Sequence, residues 1–422
     1  MTVPANYPAT CEDDYDLSAL TVETAQTRIL DAAHAVAETE TVDLRSALGR
    51  VLAEDVRATV AVPAAPNSAM DGYALRGADL PLSGKRRLEV VGVSRAGAPF
   101  RGVVGAGQCV RIFTGAVMPG EADTVVMQEN VEAEGGWAVV GSGEKPSQNV
   151  RHAGEDVAIG QIVLARGRRI VPADLGVLAG QGQARVQVYR KLRVALFTTG
   201  DELREPGEAL GEGCLYDSNR YTLLGMLQRL SADVREFGIV GDNRERLEAV
   251  LAQASAEADA IVSTGGVSVG EFDLVRDALE RAGRIEFWKI AMKPGRPITF
   301  GSIGHAVFFG LPGNPVAAMV TFYQFVQPAL RRMTGEWPLP APTVFKAVCL
   351  SKLRKRPGRV EFQRGIVEPD GEGRMVVRKT GQQGSGILTS MSQANCFIVL
   401  PLDSGPVEPG ALVDVQPFFG LV

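Results

Sequence analysis

Residues 21–36 carry apolar side chains at Val22, Ala25, Ile29, Ala32 and Val36. That i, i+3, i+4 recurrence predicts an amphipathic helix. Residues 43–53 repeat it with Leu44, Ala47, Leu48, Val51 and Leu52, which predicts a second helix. From about 56 to 185 the pattern changes. Short Val-rich runs such as RLEVVGV, QCVRIFTG, DTVVMQENV and QIVLA alternate with Gly and Pro, and predict a small barrel or sandwich flanked by more β structure.

Near residue 190 it changes again. RVALFTTG is a continuous apolar run ending in glycine, followed by a helical pattern over 218–230 with Leu223, Leu224, Leu227 and Leu230. VREFGIVGD, DAIVSTGG, IEFWKIAM and AVFFGLPG then alternate with the helical runs NRERLEAVLAQASAEA, FDLVRDALERAG and PVAAMVTFYQFV. Strand and helix alternating at this spacing predict a mostly parallel α/β sheet. After the Pro-rich WPLPAP the chain returns to short strands. The expected division is a discontinuous helix/β unit (18–55 with 150–185), a β insertion (56–149), an α/β domain (186–336) and a β domain (337–422).

At 422 residues, with 45% apolar and 22% charged positions, the chain has the length and composition of a multidomain globular protein. The net charge of −5 offers no basic excess for a phosphate backbone, so nucleic acid is not an expected partner. Five cysteines (Cys11, Cys109, Cys214, Cys349, Cys396) and three histidines (His34, His152, His305) lie too far apart in sequence for a zinc site. Scattered free thiols suit a reducing compartment, and the first residues lack the features of a signal peptide, so a cytoplasmic location is expected. Residues 297–330 contain no Asp, Glu, Lys or Arg, but GLPGNP interrupts them, so buried strands and a core helix are expected there and not a membrane span.

Glycine is the compositional outlier, at 48 residues. Three loops after predicted parallel strands are rich in it or in proline: TTGDEL (198–203), STGGVSVGEFD (263–273) and GLPGNP (310–315). Loops at the carboxyl ends of such strands bind ligands, and glycine lets backbone N–H groups surround an anion. Gly200 and Asp201, then Gly265, Gly266 and Ser268, then Pro312, Gly313, Asn314 and Pro315 are the candidate substrate contacts. Asp201, Glu202, Asp242 and Asp273 offer hard oxygens for Mg²⁺, and Lys293 and Arg296 of MKPGRP add positive charge. Asp242 and Asp273 also stand where each can cap a helix, so a structural role is open for both. No GxxxxGK[ST] or strand-linked GxGxxG is present. Residues 266–270 match GxSxG, but His305, the only downstream histidine, precedes its strand, at the edge opposite Ser268 if the strands are parallel. In the flanking regions, Asp71 (SAMDGYA), Thr114 (RIFTGA), Arg364 (EFQRG) and Ser385 (GQQGSGIL) complete the set.

Taken in order, SAMDGYA, RIFTGA, TTGDEL, YDSN, STGGVSVGEFD, MKPGRP, GLPGNPVA and GQQGSGIL resemble the MoeA/gephyrin E-domain family, the molybdopterin molybdenumtransferases. The resemblance implies a homodimer of four-domain subunits with a C-terminal β-barrel. It also implies insertion of molybdenum from molybdate into adenylylated molybdopterin, with Mg²⁺-dependent release of AMP. Asp71, Thr114, Glu202, Asp242, Asp273, Lys289, Lys293, Pro312, Pro315, Arg364 and Ser385 match the family's functional positions. Glu202, Asp242 and Asp273 would organise metal or pyrophosphate; Lys293, Arg296, Arg364 and Ser385 would donate to molybdate. The chain departs from the family at Arg296, where lysine is common, and at Ala317, where serine is common. Implied partners are the molybdopterin adenylyltransferase and proteins that take up the finished cofactor. The alternatives are a tungsten-inserting variant, the single-domain adenylyltransferase and a non-catalytic gephyrin-like scaffold. The extra domains argue against the adenylyltransferase, and no fused partner domain or peptide groove is visible for the scaffold.

Overall fold

The computed structural model describes residues 18–265 and 273–419, without side chains at 273–276 and 287. Its central six-stranded sheet runs in the order Asp233–Val240, Arg193–Thr199, Ala260–Thr264, Ala306–Leu311, Pro297–Ile303, Arg284–Lys289. The first four strands are parallel and the last two join antiparallel. The mostly parallel sheet expected from the alternating pattern is present. Its strands are apolar on both faces because both faces are covered. Val194, Leu196, Val262 and Phe309 enter one core, shared with Val22, Ala25 and Ile29 of the helix Val22–Ala32. Their chain neighbours Ala195, Phe197, Ile261 and Phe308 face the helices Arg244–Glu257 and Asp273–Ala282. The two-residue period of an extended chain produces this sorting.

The charge-free stretch becomes two strands and a helix. Pro315–Thr321 passes through a π-helical turn, Phe322–Val326, into Gln327–Met333. Proline opens the helix because the first turn needs no N–H and φ is already set. Among the described residues no helix is long and apolar enough to cross a membrane.

The C-terminal strands close into a five-stranded barrel: Val360–Pro369, Met375–Lys379, Phe345–Cys349, Leu412–Pro417 and Cys396–Leu400, the last pairing back to the first. Met292–Lys293 adds to its edge beside Val360–Glu361. The barrel is thus hydrogen-bonded to the loop that carries Lys293.

At the other end, Thr39–Asp43 pairs with Arg185–Tyr189, Val56–Arg57 with Ile162–Leu164, and Asn67–Ser68 with Val150–Arg151. The chain therefore leaves and returns along its own track. Beyond it stands a second six-stranded sheet spanning Gly72 to Gly141.

Two expectations for the first 55 residues need correction. The helix from 21 ends at Ala32, and Val36 instead donates its N–H to Met333 O at 2.9 Å. Residues 43–53 form no α-helix: a 3-10 turn at Leu44–Ser46 is followed by single bridges from Val51 and Leu52 to Arg169 and Val188. Gly49, at φ +75°, turns the chain out of the helical region. Ala47, Val51 and Leu52 are buried all the same, but Leu48 is 53% exposed, so the spacing reported burial only in part and the backbone wrongly.

Candidate active site

Four parallel strands deliver residues 200–205, 241–243, 265 and 312–315 to one edge of the sheet. The Arg284–Lys289 strand is antiparallel to a strand that is itself antiparallel to Ala306–Leu311, so it ends at the same edge. Lys289, Lys293 and Arg296 therefore join the glycine-rich loops. The acids Asp201, Glu202 and Asp242 lie at one end of this edge and the cations at the other. The Arg193–Thr199 strand, which leads to Asp201 and Glu202, and the Arg284–Lys289 strand are four strand spacings apart, roughly 19 Å at ~4.8 Å each.

At the acidic end, Asp201 Oδ1 accepts the Asp242 backbone N–H at 3.0 Å. A Cβ on Gly241 would stand 2.9 Å from that oxygen, so glycine permits the approach. Burial, then the charges of Asp201 and Glu202, push the Asp242 carboxyl above its ordinary value. Asn243, and not Asp242, caps the helix, accepting Arg246 N–H at 2.9 Å. That removes the capping role left open for Asp242. Among the described residues no three His, Cys, Asp or Glu already converge on a metal position. Asp273 opens its helix, but its side chain, with Gly266 and Ser268, lies outside the described residues. The Ala260–Thr264 and Ala306–Leu311 strands are parallel, so His305 stands at the edge away from the residues that follow Thr264.

The middle is held by residues that the sequence pattern did not single out. Asn219 Nδ2 donates to Thr264 Oγ1 at 3.0 Å and to Gly313 O at 2.7 Å, joining the second and third loops. Thr264 Oγ1 in turn donates to Pro312 O at 2.8 Å. Asp217, 1% exposed, caps the helix Ser218–Arg229 and accepts the Thr198 hydroxyl at 2.6 Å. Arg220 bonds Asp217 at 3.0 Å and Glu236 at 3.1 Å, and also pairs with Glu205 beyond the first loop. The only signal for these residues was the YDSN segment, quoted above as a whole. Gly265 has φ +90°, and a Cβ there would meet Thr199 O at 2.2 Å. The Thr199 hydroxyl beside it is buried without a partner among the described residues.

At the cationic end, Lys293 is half-buried and has no partner among the described residues. Ser385 O accepts Val316 N–H at 3.0 Å, which places the GQQGSG loop of the barrel on the first turn after GLPGNP. Arg364 is 1% exposed and donates to Ser390 Oγ at 3.0 Å and Gly384 O at 2.9 Å. It pairs with no carboxylate among the described residues, and burial pushes its guanidinium down to about 10. It remains a cation at neutral pH, buried and uncompensated, beside the Ser385 loop.

Asp71 and Thr114 stand by the sheet that spans Gly72 to Gly141 and bond to each other. Asp71 Oδ1 accepts both the N–H and the hydroxyl of Thr114, each at 2.7 Å. The backbone bond, then the side-chain bond, hold the Asp71 carboxyl below its ordinary value. No hydrogen bond or ion pair among the described residues links this pair to the loops of the sheet edge.

Three family models cover most of the chain: MoeA N-terminal region (domain I and II) over residues 20–182, probable molybdopterin binding domain over 195–332, and MoeA C-terminal region (domain IV) over 346–418. The molybdopterin molybdenumtransferase of Haemophilus influenzae is 42% identical over 400 residues, 94% of this chain and 98% of that one. The chain belongs to the molybdopterin molybdenumtransferase family. As a member it is a transferase of molybdenum cofactor biosynthesis. The crystal structure of a molybdopterin biosynthesis MoeA protein from Pyrococcus horikoshii superposes with a TM-score of 0.82 at 30% identity, covering 94% of this chain and all of that one. Gephyrin of Dictyostelium discoideum is 34% identical over 89% of this chain, which spans 59% of gephyrin's length.

Proposed function

We propose that this edge binds adenylylated molybdopterin lengthwise, takes molybdate at its cationic end, and couples molybdenum insertion to release of AMP. The separation of acids from cations along one edge carries this reading. A substrate with a pyrophosphate link needs carboxylates that hold a divalent cation, and an incoming oxyanion needs positive charge elsewhere. The gradient supplies both.

The donor set fits Mg²⁺. Asp201, Glu202 and Asp242 are hard oxygen donors, and burial followed by the charges of Asp201 and Glu202 raises the Asp242 carboxyl, which a cation would relieve. Mg²⁺ takes one or two protein carboxylates and leaves its other positions to water and substrate phosphates, so a preformed cage is not required. When bound, the ion neutralises the pyrophosphate and stabilises charge on the leaving phosphate. Glu202, Asp242 and Asp273 are the residues proposed to hold it. Gly265 lets the second loop pack directly on Thr199, whose hydroxyl has no partner among the described residues and is free to donate to a phosphate. Lys293, Arg296, Arg364 and Ser385 receive molybdate, whose charge compensates the buried Arg364. Arg296 presents a planar fork to the oxyanion in place of a single ammonium.

Asp71 and Thr114 reach such a site most simply from a second subunit, so the working unit in this reading is a homodimer with composite sites. The test supplies adenylylated molybdopterin with Mg²⁺ and either molybdate or tungstate. The expected result is metal incorporation and AMP release with molybdate, both lost on chelation of Mg²⁺. Turnover that survives chelation would overturn the metal assignment, and equal turnover with tungstate would overturn the molybdate assignment.

A further inference from the structure

A cavity of about 340 Å³ lies where the end of the first helix, the 166–167 turn and the 332–337 segment meet. His34, Arg166, Tyr189, Arg332, Glu336 and Trp337 line it. Tyr189 ends a strand and leads within four residues to Arg193, the amino end of the central sheet strand. The cavity is thus at the sheet end opposite Gly200 and Asp242, one strand length of roughly 20 Å away at ~3.3 Å per residue.

Its charge is unbalanced. Arg166 donates Nε and Nη2 to the Tyr189 hydroxyl, at 2.8 and 2.7 Å. Arg332 donates Nε to Ala33 O at 3.0 Å and lies over the Trp337 ring, 5.0 Å from its centroid. Neither guanidinium pairs with a carboxylate among the described residues, and each retains N–H donors, since a guanidinium has five. The one acid in the lining, Glu336, is already engaged by Arg169 at 2.8 Å and by Arg331 at 2.9 Å. Trp337 is 60% exposed, and with Arg332 over one face of its ring it still offers a large planar surface to solvent. The walls are fixed by close contact. A Cβ on Gly335 would stand 2.3 Å from the Tyr189 ring, and one on Gly167 would stand 2.7 Å from Trp337 O.

We propose that this cavity is a second ligand site, separate from the sheet edge, for a small oxyanion carried on a planar ring. The two uncompensated guanidiniums take the anion and the exposed face of Trp337 takes the ring. Arginine binds oxyanions such as carboxylate and phosphate through two N–H groups at once, and the indole supplies a large apolar area for the ring.

Phenyl phosphate, titrated into the full-length protein and followed by calorimetry and tryptophan fluorescence, tests this. Saturable binding is expected, at least tenfold weaker for inorganic phosphate, which lacks the ring. Arg166→Gln and Arg332→Gln should each weaken phenyl phosphate about tenfold, and Trp337→Phe should remove the fluorescence change. Lys293→Ala should leave the affinity unchanged, which separates this site from the proposed molybdate position. Absence of saturable binding, a fluorescence change that persists in Trp337→Phe, or loss of binding in Lys293→Ala would each overturn the proposal. So would sedimentation showing that Arg166→Gln with Arg332→Gln dissociates the protein, because the face would then be a contact between copies.

Discussion

Asp242 shows at the scale of one side chain how a site opposes stability. Its carboxyl is raised first by burial and then by Asp201 and Glu202, so its charged form costs folding free energy. Asp242→Asn should therefore raise the thermal midpoint by roughly 1–3 °C at neutral pH, about 1 kcal/mol, while AMP release falls to background. A raised acid is protonated sooner as pH falls, which relieves the strain in the native protein, so the stability gain should shrink as pH falls through the raised native value and vanish below the ordinary value of 3.8. Calorimetry at several pH values checks this, and a variant less stable than the parent at pH 7 would contradict it. Arg364 is the complementary case at the cationic end, a cation held ready by burial and by Ser390 and Gly384. Arg364→Ala should weaken molybdate dependence more than dependence on the nucleotide-bearing substrate, measured as separate apparent constants. Equal losses for both would assign Arg364 to the fold.

Elements matter here through how their ends are tied. Asn219 joins two loops with two hydrogen bonds, at 3.0 and 2.7 Å. Asn219→Ala should cost about 1–2 kcal/mol and lower turnover about tenfold or more, since loop displacement of an ångström carries that penalty. Unchanged turnover would remove the clamp from the account. Glu336 ties the 327–333 helix to the 166–170 segment through Arg331 and Arg169. Burial raises its pKa, but the two guanidiniums outweigh that, so the net shift is below the ordinary 4.5. A depressed acid stabilises the fold above its unfolded pKa and loses that contribution as pH falls through the folded value. Glu336→Gln should thus cost about 3 kcal/mol near pH 7, with the difference fading below pH 4.5 in thermal melts. The strands and glycine-rich loops were legible because alternation and punctuation are local. The 43–53 segment was not, because its spacing fits a helix and Gly49 decides otherwise. Asn219 and Asp217 were missed for a different reason: an Asn or Asp that bridges distant loops looks, in sequence, like any helix start.

For the whole molecule, the question is what completes the site. The Asp71–Thr114 pair is ordered by its own hydrogen bonds, yet makes no hydrogen bond or ion pair with the sheet-edge loops among the described residues. In a two-fold dimer it can serve the partner's edge. Asp71→Asn and Asp273→Asn, each inactive alone, should then complement on subunit exchange. A mixed dimer holds one site with both defects and one with neither, so up to half the native activity returns. Mixtures that stay inactive after verified exchange would place both residues in one chain's site. The central claim, that one edge couples cleavage of the pyrophosphate to molybdenum insertion, is tested most directly by stoichiometry in a single turnover. With adenylylated molybdopterin bound and Mg²⁺ present, AMP should appear only when molybdate is added, one AMP for each molybdenum incorporated. AMP released at the same rate without molybdate, or molybdenum incorporated without AMP, would contradict it.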